Sequence, residues 1–328
     1  MVSKITHKDM TKLFITLGPS TLNKKFLTSV DSKNIKLLRI NLSHTDIKDL
    51  PRLVRFIRKY SRTPICFDSE GAQIRTSKLK GKTKKLISNK IIKINKSNIE
   101  NNNITLVPKD IYKHISKGDR LSIDFNSVIV KVVKENTTHF ECKVLQGGTI
   151  GSNKSIAVDR DITIPPFTDK DLKAFEIGSK LNIKNYALSF TSRAMDIKQL
   201  RSFFKSKIII TSKIESKKAL KNLSEILKEA DNILIDRGDL SKEIPLHEIP
   251  KKQKEIIKRA RKIKTPVYVA TNLLESMVTR MEPTRAEVND VYNTIIDGAT
   301  GLVLAAETAI GKYPEKCIDM ILKISKTT

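Results

Sequence analysis

Eight short apolar runs punctuate this chain, at 12–17, 36–42, 64–68, 186–190, 208–214, 232–236, 267–271 and 301–305, and all but the third lead into an amphipathic helical pattern. Parallel strands must be joined by long crossovers, which helices supply, so this alternation predicts a parallel α/β architecture. After the third run the texture changes. From about Ser77 to Ile164 the chain reads as short β segments, such as 119–124, 127–133 and 139–145, with turn signals at Gly147-Gly148 and Gly151-Ser152-Asn153. The helical pattern resumes at Thr168-Asp169-Lys170-Asp171, which resembles a capping box after Pro165-Pro166. Eight βα units fit a closed (β/α)8 TIM barrel, whose usual size of about 250 residues matches what remains once the β insert is removed. An open doubly wound sheet is the alternative, disfavoured because no Gly-rich turn follows the first run. The expected domains are a barrel formed by residues 1–76 and 165–328 and a small all-β domain, 77–164, inserted after strand 3.

The ends of these runs carry the chemistry. The fifth, Ile208-Ile209-Ile210-Thr211-Ser212-Lys213-Ile214-Glu215, closes on an ammonium and a carboxylate two positions apart, which in a strand share a face. A solvated edge strand would explain one such pair. The pattern recurs, however: Arg39, Asn41, Ser43 and His44 end the second run, and Asp68, Ser69 and Glu70 the third, with Arg75 shortly after. Asp236, Arg237, Gly238 and Asp239 end the sixth, Thr271 and Asn272 the seventh, and Glu307 and Thr308 follow the eighth. Barrel enzymes place their catalytic groups at these strand ends. Glu215 and Asp239 are hard oxygen donors suited to Mg²⁺ or Mn²⁺. Lys213 supplies a point charge for a transferring phosphoryl group or a developing enolate, and Arg39 and Arg75 suit phosphate oxygens. No histidine-rich cluster suggests zinc, and no Gly-x-Ser-x-Gly elbow suggests a serine nucleophile.

Composition narrows the classes further. No apolar run approaches the roughly 20 residues needed to span a bilayer. The polar start, Met1 to Asp9, lacks a signal-peptide core, and Cys66, Cys142 and Cys317 form no metal pattern. A reduced, cytoplasmic location without a membrane partner is expected. The net charge of +27 raises nucleic-acid binding. Yet the lysines are scattered over many helical patterns, only 5% of residues are aromatic and Trp is absent. With no stacking rings between basic residues, a nucleic-acid partner is not expected, although the charge can steer anionic substrates.

The chain resembles pyruvate kinase over nearly its whole length. The matching segments are Thr11 to Pro19, Leu38 to His44, Ile208 to Glu215, Arg237-Gly238-Asp239-Leu240, Glu243-Ile244-Pro245, Val269-Ala270-Thr271 with Leu274 to Met277, Pro283 to Glu287, and Glu307-Thr308-Ala309 with Tyr313-Pro314. The resemblance implies phosphoryl transfer from phosphoenolpyruvate to ADP, giving pyruvate and ATP. Carried over by position, Lys213 stabilises the transferring phosphoryl and the enolate, and Glu215 and Asp239 hold Mg²⁺ or Mn²⁺. Arg39, Gly238 and Thr271 bind the substrate alongside Lys213 and Asp239, with Thr271 where the enolate is reprotonated. Asn41, Ser43, Asp68 and Ser69 match the K⁺ site, and Asn41, Ser43, His44, Arg75 and the lid residue Lys154 match the nucleotide-phosphate contacts.

Departures from the family pattern are also visible. The strand-three loop reads Ser69-Glu70-Gly71-Ala72-Gln73 where Thr-Lys-Gly-Pro-Glu is usual, so Glu70 puts an anion in place of a cation. Asp236 stands where a small apolar residue is usual, and it either faces the metal site or needs a buried partner in the helix layer. Ser241, Asn272 and Ala306 replace glycine, glutamine and glycine. The sequence reaches Thr328 just after the last barrel helix, where the family usually continues into a regulatory domain, so regulation through that domain is not expected and homo-oligomerisation is left open. Two other readings stand beside the kinase. One is a metal-dependent enzyme acting on another enolpyruvyl or 2-oxo acid, and the other is a non-catalytic relative.

Overall fold

The computed structural model describes residues 11–33, 35–71, 73–79, 81, 83–97, 104–124, 127–160, 162 and 164–328. They fall into two units, residues 1–71 with 169–328, and 72–168. The chain enters the first unit with strands β1 (Lys12–Thr16), β2 (Ile35–Asn41) and β3 (Ile65–Asp68). It passes through the second unit as β4 (Ile74–Thr76), β5 (Thr83–Leu86), β6 (Ile91–Asn95), β7 (Ile104–Val107), β8 (Arg120–Ile123), β9 (Val128–Glu135), β10 (His139–Gln146), β11 (Gly148–Gly151) and β12 (Ser155–Val158). It returns to the first unit as β13 (Asn185–Leu188), β14 (Ile209–Ile214), β15 (Asn232–Asp236), β16 (Val267–Ala270) and β17 (Gly301–Leu304).

In the first unit eight parallel strands close into a barrel in the order β1-β17-β16-β15-β14-β13-β3-β2, which is the expected (β/α)8 arrangement. β3 pairs with β13 although the whole second unit lies between them in sequence. The helices start where local chemistry lets them. Asn23 caps Lys24–Val30 by accepting from the Phe26 N–H, and Thr284 and Glu287 form a capping box on Arg285–Ile296. Inside the barrel, Phe14, Leu37, Cys66, Ala187, Leu234, Tyr268, Ala270 and Val303 form one buried cluster, with Phe14 and Tyr268 stacked at 4.0 Å. The two-residue period of a strand fixes the next inward layer, toward the C-terminal ends. Two positions beyond Phe14, Leu37, Cys66 and Leu234 lie Thr16, Arg39, Asp68 and Asp236, all buried and polar. An apolar plug thus supports a charged ceiling.

In the second unit β10-β6-β7-β4-β12-β8-β9 form a small closed barrel around Ile94, Ile104, Leu121, Val130 and Phe140, and β11 pairs with β5. Ile74–Thr76 pairs with β7 and β12 of this sheet, so the changeover falls a few residues before the Ser77 that the sequence suggested. The glycines read as turn signals at 147–148 and at 151 instead bracket a strand: Gly148 to Gly151 pair with Leu86 to Thr83. A Cβ at Gly148 would lie 2.2 Å from the Ser127 carbonyl oxygen, so close backbone approach is what requires glycine there.

Candidate active site

Lys213 is the hub of the charged ceiling. Its ammonium lies 2.8 Å from Glu215 Oε1, 3.3 Å from Asp236 Oδ2 and 3.9 Å from Asp68 Oδ1, and it donates to Ser189 Oγ at 3.2 Å. Arg39 Nη2 approaches the other oxygen of Asp68 at 3.3 Å. All five charged groups are buried. Burial alone would lower the Lys213 pKa, but Asp68, Glu215 and Asp236 outweigh it and hold the ammonium protonated well above its usual range. Glu215 is pushed up, first by burial and then, against the pull of Lys213, by the neighbouring Asp236 and Asp239. Asp236, whose burial would raise it, is held below the ordinary carboxylate range by Lys213 and Arg39.

Asp239 sits in the helical turn Arg237–Leu240 that follows β15, with its Oδ1 2.6 Å from Lys242 Nζ. One carboxylate oxygen each of Glu215, Asp236 and Asp239 lie within 4.8 Å of one another, the only such group of metal-ligating side chains among the described residues. Three buried polar atoms here lack hydrogen-bond partners: Asp236 Oδ1, Arg39 Nε and Glu215 Oε1, the last held only by its ion contact with Lys213. An orphaned oxygen calls for a cation and an orphaned N–H for an anion.

Thr271 closes one side of this space. β16 ends at Ala270, one residue short of the expected run, because Thr271 and Asn272 turn into the left-handed region, with φ of 72° and 52°. For a β-branched residue this is a strained backbone that its surroundings must hold. Arg237 does so. Its guanidinium donates to the Thr271 carbonyl (3.1 and 2.7 Å) and the Asn272 carbonyl (3.2 Å), and Asp290 clamps Nη1 at 2.9 and 2.7 Å. The Thr271 hydroxyl accepts from the Gly238 N–H at 2.7 Å and donates to the Ala270 carbonyl at 2.5 Å. After the neighbouring strand β17, Glu307 accepts from the backbone of Ala305 and Leu274, and Thr308 donates to the Thr16 carbonyl, so both serve loop geometry.

The strand-three loop is tied down from elsewhere. Ser69 Oγ accepts from the Ser189 N–H at 2.9 Å, and Ser189 Oγ donates to the Ser69 carbonyl at 2.7 Å. Asp171, fully buried, accepts from the N–H groups of Glu70 (2.7 Å) and Gly71 (3.0 Å), so this residue of the predicted capping box fastens the loop. Asp171→Ala would strand two donors of the loop and is expected to cost about 3 kcal/mol, measurable by chemical denaturation. Asn41 Oδ1 accepts from the Ser43 N–H at 2.9 Å, opening the short helical turn Leu42–His44.

Beside β2 opens a cavity of about 940 Å³, lined on its apolar side by Pro19, Leu22, Leu53, Phe56 and Ile310 and on its polar side by Arg39, Asn41 and His44. Arg39 belongs both to this cavity and to the charged ceiling. The remaining predicted site residues lie in the second unit. Arg75, on β4, is in register with Ser155, the neighbour of Lys154, and it donates to the Asn153 carbonyl at 3.4 Å. Lys154 Nζ lies 2.9 Å from Asp124.

Sequence reasoning missed Ser189, Phe190, Asp171 and Asp290. Phe190, at φ 54°, donates its N–H to Glu215 Oε2 at 2.6 Å. The polar ends of six runs drew attention, whereas the fourth ends in an inconspicuous serine and phenylalanine. Ser189 lies two positions beyond the inward Ala187, and that spacing is the signal that could have found it.

Comparison with known proteins agrees with this geometry. The family model for the barrel domain of pyruvate kinase matches residues 8–318. A pyruvate kinase of Thermococcus litoralis is 33% identical over 334 residues, covering 98% of this chain and 70% of that protein. One from Thermotoga maritima is 34% identical over 331 residues, covering 96% and 70%. The crystal structure of a pyruvate kinase from Cryptosporidium parvum superposes with a TM-score of 0.83 at 30% identity, covering 97% of this chain and 69% of that one. With the barrel, the lysine hub and these relatives in agreement, the chain belongs to the pyruvate kinase family of phosphotransferases.

Proposed function

We propose that this chain transfers the phosphoryl group of phosphoenolpyruvate to ADP, with Lys213, Arg39, Gly238 and Thr271 as the residues that meet the substrate. The observation that carries the reading is the buried Lys213 ammonium, set between carboxylates at the C-terminal mouth of the barrel. A fixed positive charge there stabilises charge on the phosphoryl oxygens as the bridging P–O bond breaks, and on the enolate oxygen left behind. Arg39, with Nε unpartnered, offers the phosphate a donor that nothing else satisfies. The Thr271 hydroxyl orients a water that protonates the enolate carbon. The cavity lined by Pro19, Phe56, His44 and Asn41 suits the nucleotide, with apolar walls for the base and Arg39 and Asn41 toward the phosphates. The resemblance also assigns Arg75 and Lys154, both in the second unit, to nucleotide phosphates.

The donor set fits a divalent ion: Glu215 and Asp239 are hard oxygen ligands in a cluster with a surplus carboxylate oxygen. Such an ion, when bound, neutralises phosphate charge during the transfer. Asn41, Ser43, Asp68 and Ser69 are assigned to K⁺. Pyruvate formation from phosphoenolpyruvate is measured with Mg²⁺ and K⁺, with and without ADP. Turnover that requires ADP is expected. Pyruvate released equally without ADP would shift the assignment to enolate chemistry with another acceptor, and no turnover by folded protein would reject catalysis of this reaction.

A further inference from the structure

We propose that Asp236 is a third carboxylate ligand of the divalent-metal site, joining Glu215 and Asp239, so that this chain holds its metal ion before substrate arrives. The inference rests on the metal site proposed above and extends it to a residue that the resemblance does not assign. Four observations carry it. First, Asp236 faces the barrel interior. It follows Leu234, an inward core residue, by two positions, and its Oδ2 lies 3.3 Å from Lys213 Nζ. Second, its other oxygen, Oδ1, is buried without a well-formed hydrogen bond, in a residue only 5% exposed whose only backbone help is a weak contact from the Asp239 N–H. An ionised oxygen in that position is costly unless a cation meets it.

Third, Oδ1 opens toward the reacting groups. A Cβ built on Gly238 would lie 3.5 Å from Asp236 Oδ1 and 3.4 Å from Thr271 Oγ1, so all three border one space. The three carboxylate oxygens span no more than 4.8 Å. Ligands on opposite sides of an ion with bonds of about 2.1 Å stand about 4.2 Å apart, so small side-chain rotations bring all three onto one ion. Fourth, with all four carboxylates ionised, the charges do not balance. Asp68 faces Arg39 and Asp239 faces Lys242, which leaves Glu215 and Asp236 sharing the single ammonium of Lys213. A divalent cation removes that surplus. Asp236 thus divides its work, one oxygen on the lysine and one on the metal.

The test is Mn²⁺ binding without phosphoenolpyruvate or nucleotide, followed by calorimetry and by the paramagnetic resonance of free Mn²⁺. Wild type is compared with Asp236→Ala, Asp236→Asn and Glu215→Gln, each checked for folding by circular dichroism. Wild type is expected to bind one ion. Asp236→Ala should weaken it by about tenfold or more, and Asp236→Asn, which keeps the volume and a neutral oxygen, by less. If Glu215→Gln weakens binding and both Asp236 variants bind as wild type does, the third ligand is overturned while the metal site stands. If no variant changes the affinity, the metal site itself is misplaced. A wild type that takes up no Mn²⁺ until substrate is added also overturns the proposal, while Mg²⁺-dependent turnover would still support the kinase reading. Should Asp236→Ala fail to fold, Asp236→Asn carries the comparison.

Discussion

Lys213→Met is expected to lower kcat for pyruvate formation by about 10³-fold to 10⁵-fold, the range seen when a cation that stabilises phosphoryl-transfer charge is removed. Methionine keeps most of the apolar stem and deletes only the ammonium, so the loss reports on charge. The same change is expected to destabilise the barrel by about 3–5 kcal/mol, because Asp68, Glu215 and Asp236 then face Arg39 alone. The pH dependence has a definite sign. Lys213 helps hold the Asp236 pKa below its ordinary value, and such a group contributes stability above its unfolded pKa that is lost as pH falls through its folded one. The deficit of the variant is therefore largest near neutrality and shrinks in acid. Thermal unfolding of both proteins across pH, together with the coupled assay, checks both effects. Wild-type kcat in a folded Lys213→Met protein would remove Lys213 from the mechanism.

Arg237→Ala is expected to slow turnover by about a hundredfold, the order lost when a reacting group moves by an ångström. Arg237 is assigned no contact with substrate; it holds the strained loop that presents Thr271. Without it the carbonyls of Thr271 and Asn272 lose their donor, and Thr271 is freed to relax from its φ of 72°. The stability cost is expected at about 2–4 kcal/mol, mostly from the stranded carbonyls. Asp290 is 38% exposed at its side chain, so water screens its part of the clamp. Asp290→Asn should accordingly do much less. A kcat that falls equally in both variants would show that charge on Asp290, rather than the carbonyl clamp, sets the Thr271 loop. Arg237→Lys should recover little, since one ammonium cannot reproduce the fork that spans two carbonyls and a carboxylate.

The residues that were legible in the sequence are those that obey a period. All eight barrel strands begin and end within two residues of the apolar runs, because buried parallel strands need continuous apolar chain. Lys213 and Glu215 could be placed on one face because a strand repeats every two residues. The orientation of Asp236 could not be settled that way. Both faces of β15 are apolar and buried, so nothing in Asn232 to Ile235 says which side is the interior. Asp171 and Asp290 escaped for another reason. Asp171 acts on a loop 100 or more positions away and Asp290 on a side chain 53 away, through contacts that leave no periodic trace. The strands of the second unit that were missed, among them Thr83–Leu86 and Ile91–Asn95, are short and rich in exposed lysine or isoleucine, and their pairing rather than their own apolar content makes them strands.

The seam between β1 and β17 sets the order of events during synthesis. Phe14 pairs with Val303, Thr16 Oγ1 donates to the Leu304 carbonyl at 2.7 Å, and Ser325 Oγ donates to Thr11 Oγ1 at 2.9 Å. These contacts join residues 288 to 314 positions apart, which leave the ribosome far apart in time. Until Gly301 to Leu304 emerge, β1 and β16 are open edges, each with a row of unpaired N–H and C=O groups. The barrel can therefore complete itself only after Gly301 to Leu304 have emerged, and the high contact order of that last step makes it slow. The interval before closure is when a nascent chain is most exposed to pairing with its neighbours, and when holding by a chaperone does the most good.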